Sequence, residues 1–243
     1  MCNTACNEFV ARWLDPDEIT DKDVLEVGAR DVNGSVRPLI EKHKPNRYVG
    51  VDIEKGKRVD YVCDAVNLVE EFGAASFDML VSTEMLEHVP DWRAVVSNFK
   101  RVLRPGGVLY LTTRSPGFPY HGYPADFWRF TTEDMEAIFS EFEIVTVEGD
   151  PSEPGVFVKA RKPRRRKFVE TDLSDYHVQN VEGQVAQAVK QDIPTAPAIP
   201  PRSQERIAQP PPQPQAPQAV NAPPVVQPLP VNYRRLPWDR RAK

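Results

Sequence analysis

The chain has 243 residues, a formal net charge of -4, and 25 prolines against 12 glycines. Apolar residues make up 40% and charged residues 27%, an ordinary balance for a soluble domain, and no apolar run reaches the roughly 18 residues a membrane helix needs. Met1 to Asp15 lacks the basic and apolar regions of a secretory signal, and Cys2, Cys6 and Cys63 are too few for a disulfide framework, so a reducing, cytoplasmic setting is expected.

In chain order, Asn7 to Leu14 has the spacing of a short amphipathic helix that ends before Pro16. Val24 to Val27 is a buried strand running into Gly28. Ser35 reads as the cap of a helix to about Lys42, with Pro38 in the first turn, where its missing N–H does no harm. Tyr48–Val51, Val59–Val62 and Phe77–Val81 are three further strands, the first two ended by Asp52 and Asp64. Asp91 caps a helix carrying Trp92, Val95, Val96, Phe99, Val102 and Leu103. Pro105-Gly106-Gly107 marks a stop and turn before the strand Val108–Thr112. Thr131 or Thr132 opens a helix through Phe139, and Phe142–Val147 with Val156–Ala160 form a closing antiparallel pair.

Beyond residue 160 the composition changes. Residues 1–160 hold 17 Lys+Arg and 28 Asp+Glu, a net of -11, whereas residues 161–243 hold 14 and 7, a net of +7. The last 83 residues carry 15 of the prolines, in runs such as PPPQPQAPQ, with few large apolar side chains. Such a segment cannot bury enough surface to offset the entropy of ordering it. A folded domain over 1–160 and a basic, then Pro/Gln-rich disordered tail over 161–243 are therefore expected.

Strands that alternate with helices and read as continuous apolar runs indicate an α/β, Rossmann-like, doubly wound and mostly parallel sheet covered on both faces. Ligands of such sheets sit at the carboxyl ends of the strands. That rule lines up Gly28, Asp52, Asp64, Ser82 and Thr83 on one rim. Asp52 suits a ribose diol, because a carboxylate accepts from two neighbouring hydroxyls. The first turn, Gly28-Ala29-Arg30-Asp31-Val32-Asn33-Gly34, lacks the glycine spacing that cradles a pyrophosphate. Glu26 and Asp31 instead suit a cationic ligand.

Val-Leu-Glu-Val-Gly (24–28), Gly-Val-Asp (50–52), Cys-Asp-Ala (63–65), Glu-His-Val (87–89) and Arg-Val-Leu-Arg-Pro-Gly-Gly (101–107) together resemble the class I S-adenosylmethionine-dependent methyltransferases, in their type 11-like group. The resemblance covers about residues 20–160. It implies a seven-stranded sheet with an antiparallel last strand, and S-adenosylmethionine as the cofactor. By the same resemblance Glu26 and Gly28 lie near the methionine portion, with Ala29 and Gly34 in the same loop. Asp52 holds the ribose hydroxyls, Ile53 flanks the adenine, and Asp64 accepts from the adenine amino group beside the Ala65 backbone. Ser82 and Thr83 close the methionine side. Arg30 and Asp31 stand where the family usually has further glycines.

The cluster Glu84-Met85-Leu86-Glu87-His88 places Glu84, Glu87 and His88 on one face if the turn is α-helical. Three roles stand open: ordering of the turn, His88 as a general base, or a divalent metal held by the two carboxylates and His88. Glu-x-x-Glu-His resembles the metal motif of ubiquinone-pathway O-methyltransferases and small-RNA 3′-end methyltransferases; the reading without metal is favoured. The long segment from Ser115 to Phe130 has the length of a functional loop. Tyr120, His121 and Tyr123 are expected to face the acceptor, Asp126 and Arg129 to orient them or pair, and Phe127, Trp128 and Phe130 to anchor the loop. His88, His121 and Tyr120 are the candidate catalytic residues.

Six of the seven residues 161–167 are basic. They could grip nucleic acid, but a solvated domain edge is the favoured reading. Tyr233 to Arg241 has the aromatic and arginine content of a docking peptide for a protein partner. The expected function is methyl transfer to a small polar molecule such as a sugar or metabolite. The alternatives are a nucleic-acid or protein methyltransferase and a non-catalytic binding module.

Overall fold

A computed structural model describes residues 3–122, 125–164 and 168–181. Among these, β1 (Asp23–Val27), β2 (Arg47–Asp52), β3 (Tyr61–Val62), β4 (Phe77–Thr83) and β5 (Leu103–Arg114) alternate with α2 (Arg37–Glu41), α3 (Leu68–Phe72) and α4 (Trp92–Val102). α1 (Thr4–Trp13) precedes them. The chain then adds β6 (Trp128–Arg129), α5 (Thr132–Ile138), β7 (Glu143–Gly149), β8 (Gly155–Arg161) and β9 (Gln179–Asn180).

Seven strands form one sheet in the order β3-β2-β1-β4-β5-β8-β7. All neighbours are parallel except β8, which is antiparallel to both β5 and β7. The expected α/β sheet with a reversed final strand is thus present. The alternation along the central strands explains its two covered faces. Leu25 and Leu80 enter one core with Phe99 of α4, whereas Val24 and Val81 enter another with Phe9 of α1. Burying a large apolar side chain contributes on the order of 1.5–3 kcal/mol, so both layers hold the sheet.

Local differences from the sequence reading have local causes. α1 begins at Thr4 because the Asn3 side chain accepts from the Cys6 N–H at 2.8 Å. Ser35 caps no helix; its hydroxyl accepts from Arg37 N–H in the turn before, and α2 is only five residues. Pro105-Gly106-Gly107 lies within β5, where Gly106 N–H donates to Lys162 and Lys162 N–H to Gly107, both at 2.8 Å. The expected turn becomes an irregularity in a continuous strand.

The packed chain also runs past residue 160. Lys162 is buried and its ammonium donates to the carbonyls of Lys100 and Leu103, closing the end of α4. Phe168, Leu173, Tyr176 and Val178 pack on the core beside α4, and β9 pairs with β6. These apolar residues are the physical reason for the extension. Residues 182–243, with the Pro/Gln-rich runs and the Tyr233–Arg241 segment, lie outside the described residues. No described helix is long and apolar enough to cross a membrane.

Candidate active site

The carboxyl rim is built first by the loop after β1. Gly28 has φ +81, and a Cβ there would stand 2.8 Å from Met85 Cβ and Cγ, so the close approach of this loop to Met85 requires glycine. Gly28 and Ala29 both donate to Val51 O of β2, at 2.9 and 3.0 Å. Asp31 accepts from Gly34 N–H at 3.2 Å and pairs with Lys57 and Arg58. Hydrogen bonds from these two cations hold its carboxyl below the usual range. The Asp31 charge is therefore spent within the protein. Glu26 is buried, with one oxygen bonded by the Tyr48 hydroxyl at 2.9 Å; burial pushes its carboxyl up to about 7 against that bond.

Asp52 ends β2 with its oxygens divided. One accepts Arg30 N–H at 3.1 Å, the other Glu54 N–H at 3.0 Å. Each oxygen keeps a further acceptor site. Ile53 beside it is 61% exposed, a large apolar side chain without cover. Asp64 caps the turn Ala65–Asn67 through one oxygen, accepting from Val66 at 3.1 Å, and Ala65 is buried behind it. Ser82 and Thr83 are buried at the end of β4, and the Ser82 hydroxyl has no hydrogen-bond partner among the described residues.

The second half of the site follows β4. Glu84 sits in the left-handed region, at φ +51, and Leu86–His88 form a single 3₁₀ turn. The expected face shared by Glu84, Glu87 and His88 does not form, because the turn is not α-helical. Glu84 instead pairs with Arg114 and receives Cys6 Sγ at 3.5 Å. Burial, with the nearby Glu87 charge, pushes its carboxyl well up.

His121 takes the place of Glu84 in the cluster. His121 Nε2 stands 3.7 Å and His88 Nε2 3.8 Å from Glu87 Oε1. The available ligand atoms of these three residues all lie within 4.8 Å of one another. The other Glu87 oxygen accepts from Thr113 Oγ1 at 2.8 Å. Each imidazole is oriented from behind. His88 Nδ1 lies 2.6 Å from Ala125 O. A carbonyl can only accept, so Nδ1 carries a hydrogen; in the neutral form of such a ring Nε2 is the lone pair. His121 Nδ1 is 2.8 Å from Asp126, which also accepts the His121 N–H.

The charges are mutually adjusted. Burial alone would lower His121, but Asp126 and Glu87 outweigh it and raise the imidazole to about 9. Burial alone would raise Glu87, but the His121 imidazolium facing it at 3.7 Å holds it at about 2. Asp126 is buried too, and Arg129 and His121 keep it well below the carboxylate range. Arg129 binds Asp126 at 2.6 and 2.7 Å and also donates to the carbonyls of Phe118, Pro119 and Trp128. One buried guanidinium thus ties the loop into a fixed curve.

The Phe118 ring meets His121 at 4.9 Å between centroids, and Arg114 stands 4.0 Å above its face. Tyr120 folds over Gly122, leaning on that backbone. Tyr123 lies outside the described residues. Phe130 is buried against Trp92, and the Trp128 indole donates to Val89 O at 2.8 Å, as the anchoring reading expected. The sequence reading missed the reach of Cys6 to Glu84 and of Thr113 to Glu87. No short-range signal marks contacts between residues 78 and 26 positions apart.

Residues 3–145 match a family model described as a methyltransferase domain. The chain is 32% identical over 110 residues to a ubiquinone biosynthesis O-methyltransferase of Idiomarina loihiensis, covering 40% of this chain and 44% of that protein. It is 43% identical over 61 residues to the protein of the same name from Xanthomonas axonopodis pv. citri, covering 25% and 26%. The chain thus spans less than half the length of these curated relatives. Among solved structures, phosphoethanolamine N-methyltransferase 1 of Haemonchus contortus shares the fold with a TM-score of 0.55 at 15% identity, covering 71% of this chain and 45% of that one. The 1,6-didemethyltoxoflavin-N1-methyltransferase of Burkholderia thailandensis, solved with S-adenosylhomocysteine bound, shares it with a TM-score of 0.52 at 18% identity, covering 66% and 80%.

Proposed function

The chain belongs to the class I methyltransferase-domain family, and from that premise we propose that it moves a methyl group from S-adenosylmethionine to an oxygen or nitrogen of a small polar acceptor. The observation that carries this reading is the rim of prepared, incompletely used acceptors. Asp52 keeps an acceptor site on each oxygen for a ribose diol, and Asp64 keeps one oxygen for the adenine amino group. Ile53 offers its exposed side chain to the base. Gly28 lets the loop approach Met85, which sets the position of the rim beside the ligand. Ser82 and Thr83 close the methionine side, and Glu26 suits its ammonium.

The sulfonium, when bound, makes its methyl group a strong electrophile. The protein's remaining task is to hold a nucleophile in line and dry, which supplies on the order of 7–11 kcal/mol. His88 Nε2 is the lone pair placed to take the acceptor's proton, a contribution of roughly 10²–10⁴-fold. His121, raised to about 9, is charged at neutral pH and serves as a donor to the acceptor. Its positive charge also keeps Glu87 ionised. Tyr120 is the weakest of the three catalytic candidates, since it leans on Gly122.

One observation favours a second reading. Glu87 Oε1 is buried without a hydrogen-bond partner among the described residues, and both imidazole Nε2 atoms face it. Two imidazoles and a carboxylate suit a transition metal or zinc better than magnesium, and their Nδ1 partners are the outer-shell groups such ligands use. A divalent cation there would acidify an acceptor hydroxyl. Glu87, His88 and His121 would hold it, without Glu84.

A polymer substrate is less favoured, because Arg161 and Lys162 of the basic run are already bonded to Glu18, Gly106 and the end of α4. The test is calorimetric titration with S-adenosylmethionine, S-adenosylhomocysteine and NAD. Micromolar binding of the first two without NAD supports the proposal. Absence of adenosyl binding leaves the non-catalytic module.

A further inference from the structure

Residues 168–181 lie beyond the strands of the large sheet, yet they run across α4 and end against the acceptor loop. Arg93, on the first turn of α4, bonds this segment at two places. Its Nε donates to Leu173 O at 2.8 Å, and its Nη2 donates to Tyr176 O. The guanidinium also lies 4.8 Å over the Trp92 ring, which fixes the fork. Further ties come from Ser97 to Glu170 at 3.1 Å and from the Tyr176 hydroxyl to Asp134 at 2.9 Å.

From this anchorage the segment reaches the loop. Gln179 and Asn180 pair antiparallel with Arg129 and Trp128, and Val181 N–H donates to Phe127 O at 2.9 Å. Phe127 N–H in turn donates to Glu87 O at 2.8 Å. Two residues before Phe127, Ala125 O receives the His88 Nδ1 hydrogen. A continuous series of backbone bonds therefore joins Arg93 to the imidazole of His88. A two-stranded pairing of this size is marginal by itself, so the anchorage at Leu173 and Tyr176 is what holds β9 in place.

We propose that Arg93 is a positioning residue for the methyl-transfer site: by buckling residues 168–181 across α4 it places Ala125 O so that His88 is held as the Nδ1–H tautomer with Nε2 free to act. The inference rests on the reading of His88 as the acceptor-side base. The tautomer present is decided by the bond that the other nitrogen makes. A ring released from Ala125 reverts to the Nε2–H form that a free imidazole prefers, which removes the lone pair from the site. The segment is then part of the working domain, and the cofactor rim, on other strands, is independent of it.

The test uses the full chain labelled with ¹⁵N in its histidine rings, read by two-bond ¹H–¹⁵N correlation at pH 7.5, with His88 assigned by the signal lost in His88→Gln. Arg93→Met keeps an unbranched aliphatic stem and removes both donors. Val181→Pro removes the N–H to Phe127, at the other end of the segment. The expected result is His88 mainly Nδ1–H in the wild-type protein and mainly Nε2–H in both variants, with S-adenosylhomocysteine affinity within about twofold of wild type, a difference of roughly 0.4 kcal/mol. His88 remaining Nδ1–H in both variants overturns the role of Arg93 and leaves the reading of His88 standing. His88 already Nε2–H in the wild-type protein overturns that reading, and the proposal with it.

Discussion

Glu87 Oε1 stands 3.7 Å from His121 Nε2, while the second Glu87 oxygen is already bonded by Thr113. A wholly buried carboxylate is tolerated only with a compensating charge, and His121, brought from a loop 34 positions along the chain, supplies it. The pairing makes this part of the rim an imidazolium–carboxylate pair next to the His88 ring.

This pairing has a signature in the pH dependence of stability. His121 is raised from 6.5 to about 9 in the folded protein, so folding favours its protonated form. Its contribution is fully present below pH 6.5 and is lost as the pH rises through 9. His121→Gln is expected to cost about 1–2 kcal/mol at pH 6, allowing for the partly exposed ring. Urea unfolding at pH 6 and pH 9.5 checks it: the gap between variant and wild type should shrink at the higher pH. A gap that stays constant would remove the charged pair from the account.

Asp52→Ala should weaken S-adenosylhomocysteine binding. A hydroxyl bonded to a carboxylate contributes about 1.5–3 kcal/mol, or roughly 10–100-fold in affinity. The substitution also releases the N–H groups of Arg30 and Glu54, so it loosens the loop that approaches the ligand. Calorimetry on both proteins decides it, and equal affinities would move the ribose elsewhere.

At Gly28 the prediction concerns backbone conformation. Alanine there meets φ +81 and Met85 atoms at 2.8 Å. The left-handed backbone alone costs roughly 1–2 kcal/mol. The chain must then move away from Met85, widening the rim. A lower midpoint in chemical denaturation, with weaker adenosyl binding, is expected. The paired variant Met85→Gly with Gly28→Ala should recover part of the binding, since only glycine at 85 removes both the Cβ and the Cγ contact.

The Glu87–His88–His121 triangle gives a prediction that separates the two chemical readings. If a cation is used, manganese(II) or zinc(II) binds with a stoichiometry of one in calorimetry, and Glu87→Gln or His88→Gln abolishes it. Glu84→Gln leaves it intact, since Glu84 is turned to Arg114. Absence of binding to the wild-type protein, with and without S-adenosylhomocysteine, leaves His88 to act as a base without metal.

The amino-acid sequence by itself determined the layered sheet, because apolar runs and helix caps such as Asp91 and Thr131 act over a few residues. It also marked Gly28, Asp52 and Asp64 as residues of one rim, since each ends a strand or opens a turn and their place follows from local structure alone. Only the tertiary structure decided which side chains gather around Glu87. The spacing of Glu84, Glu87 and His88 suggested one helical face, but a left-handed Glu84 and a 3₁₀ turn sent Glu84 toward Cys6 and Arg114 instead. His121 joined Glu87 because Arg129 and Asp126 bend a long loop back over the turn, and residues 168–181 hold that loop from behind. Those contacts join residues far apart in sequence, and their geometry depends on packing that no local pattern encodes.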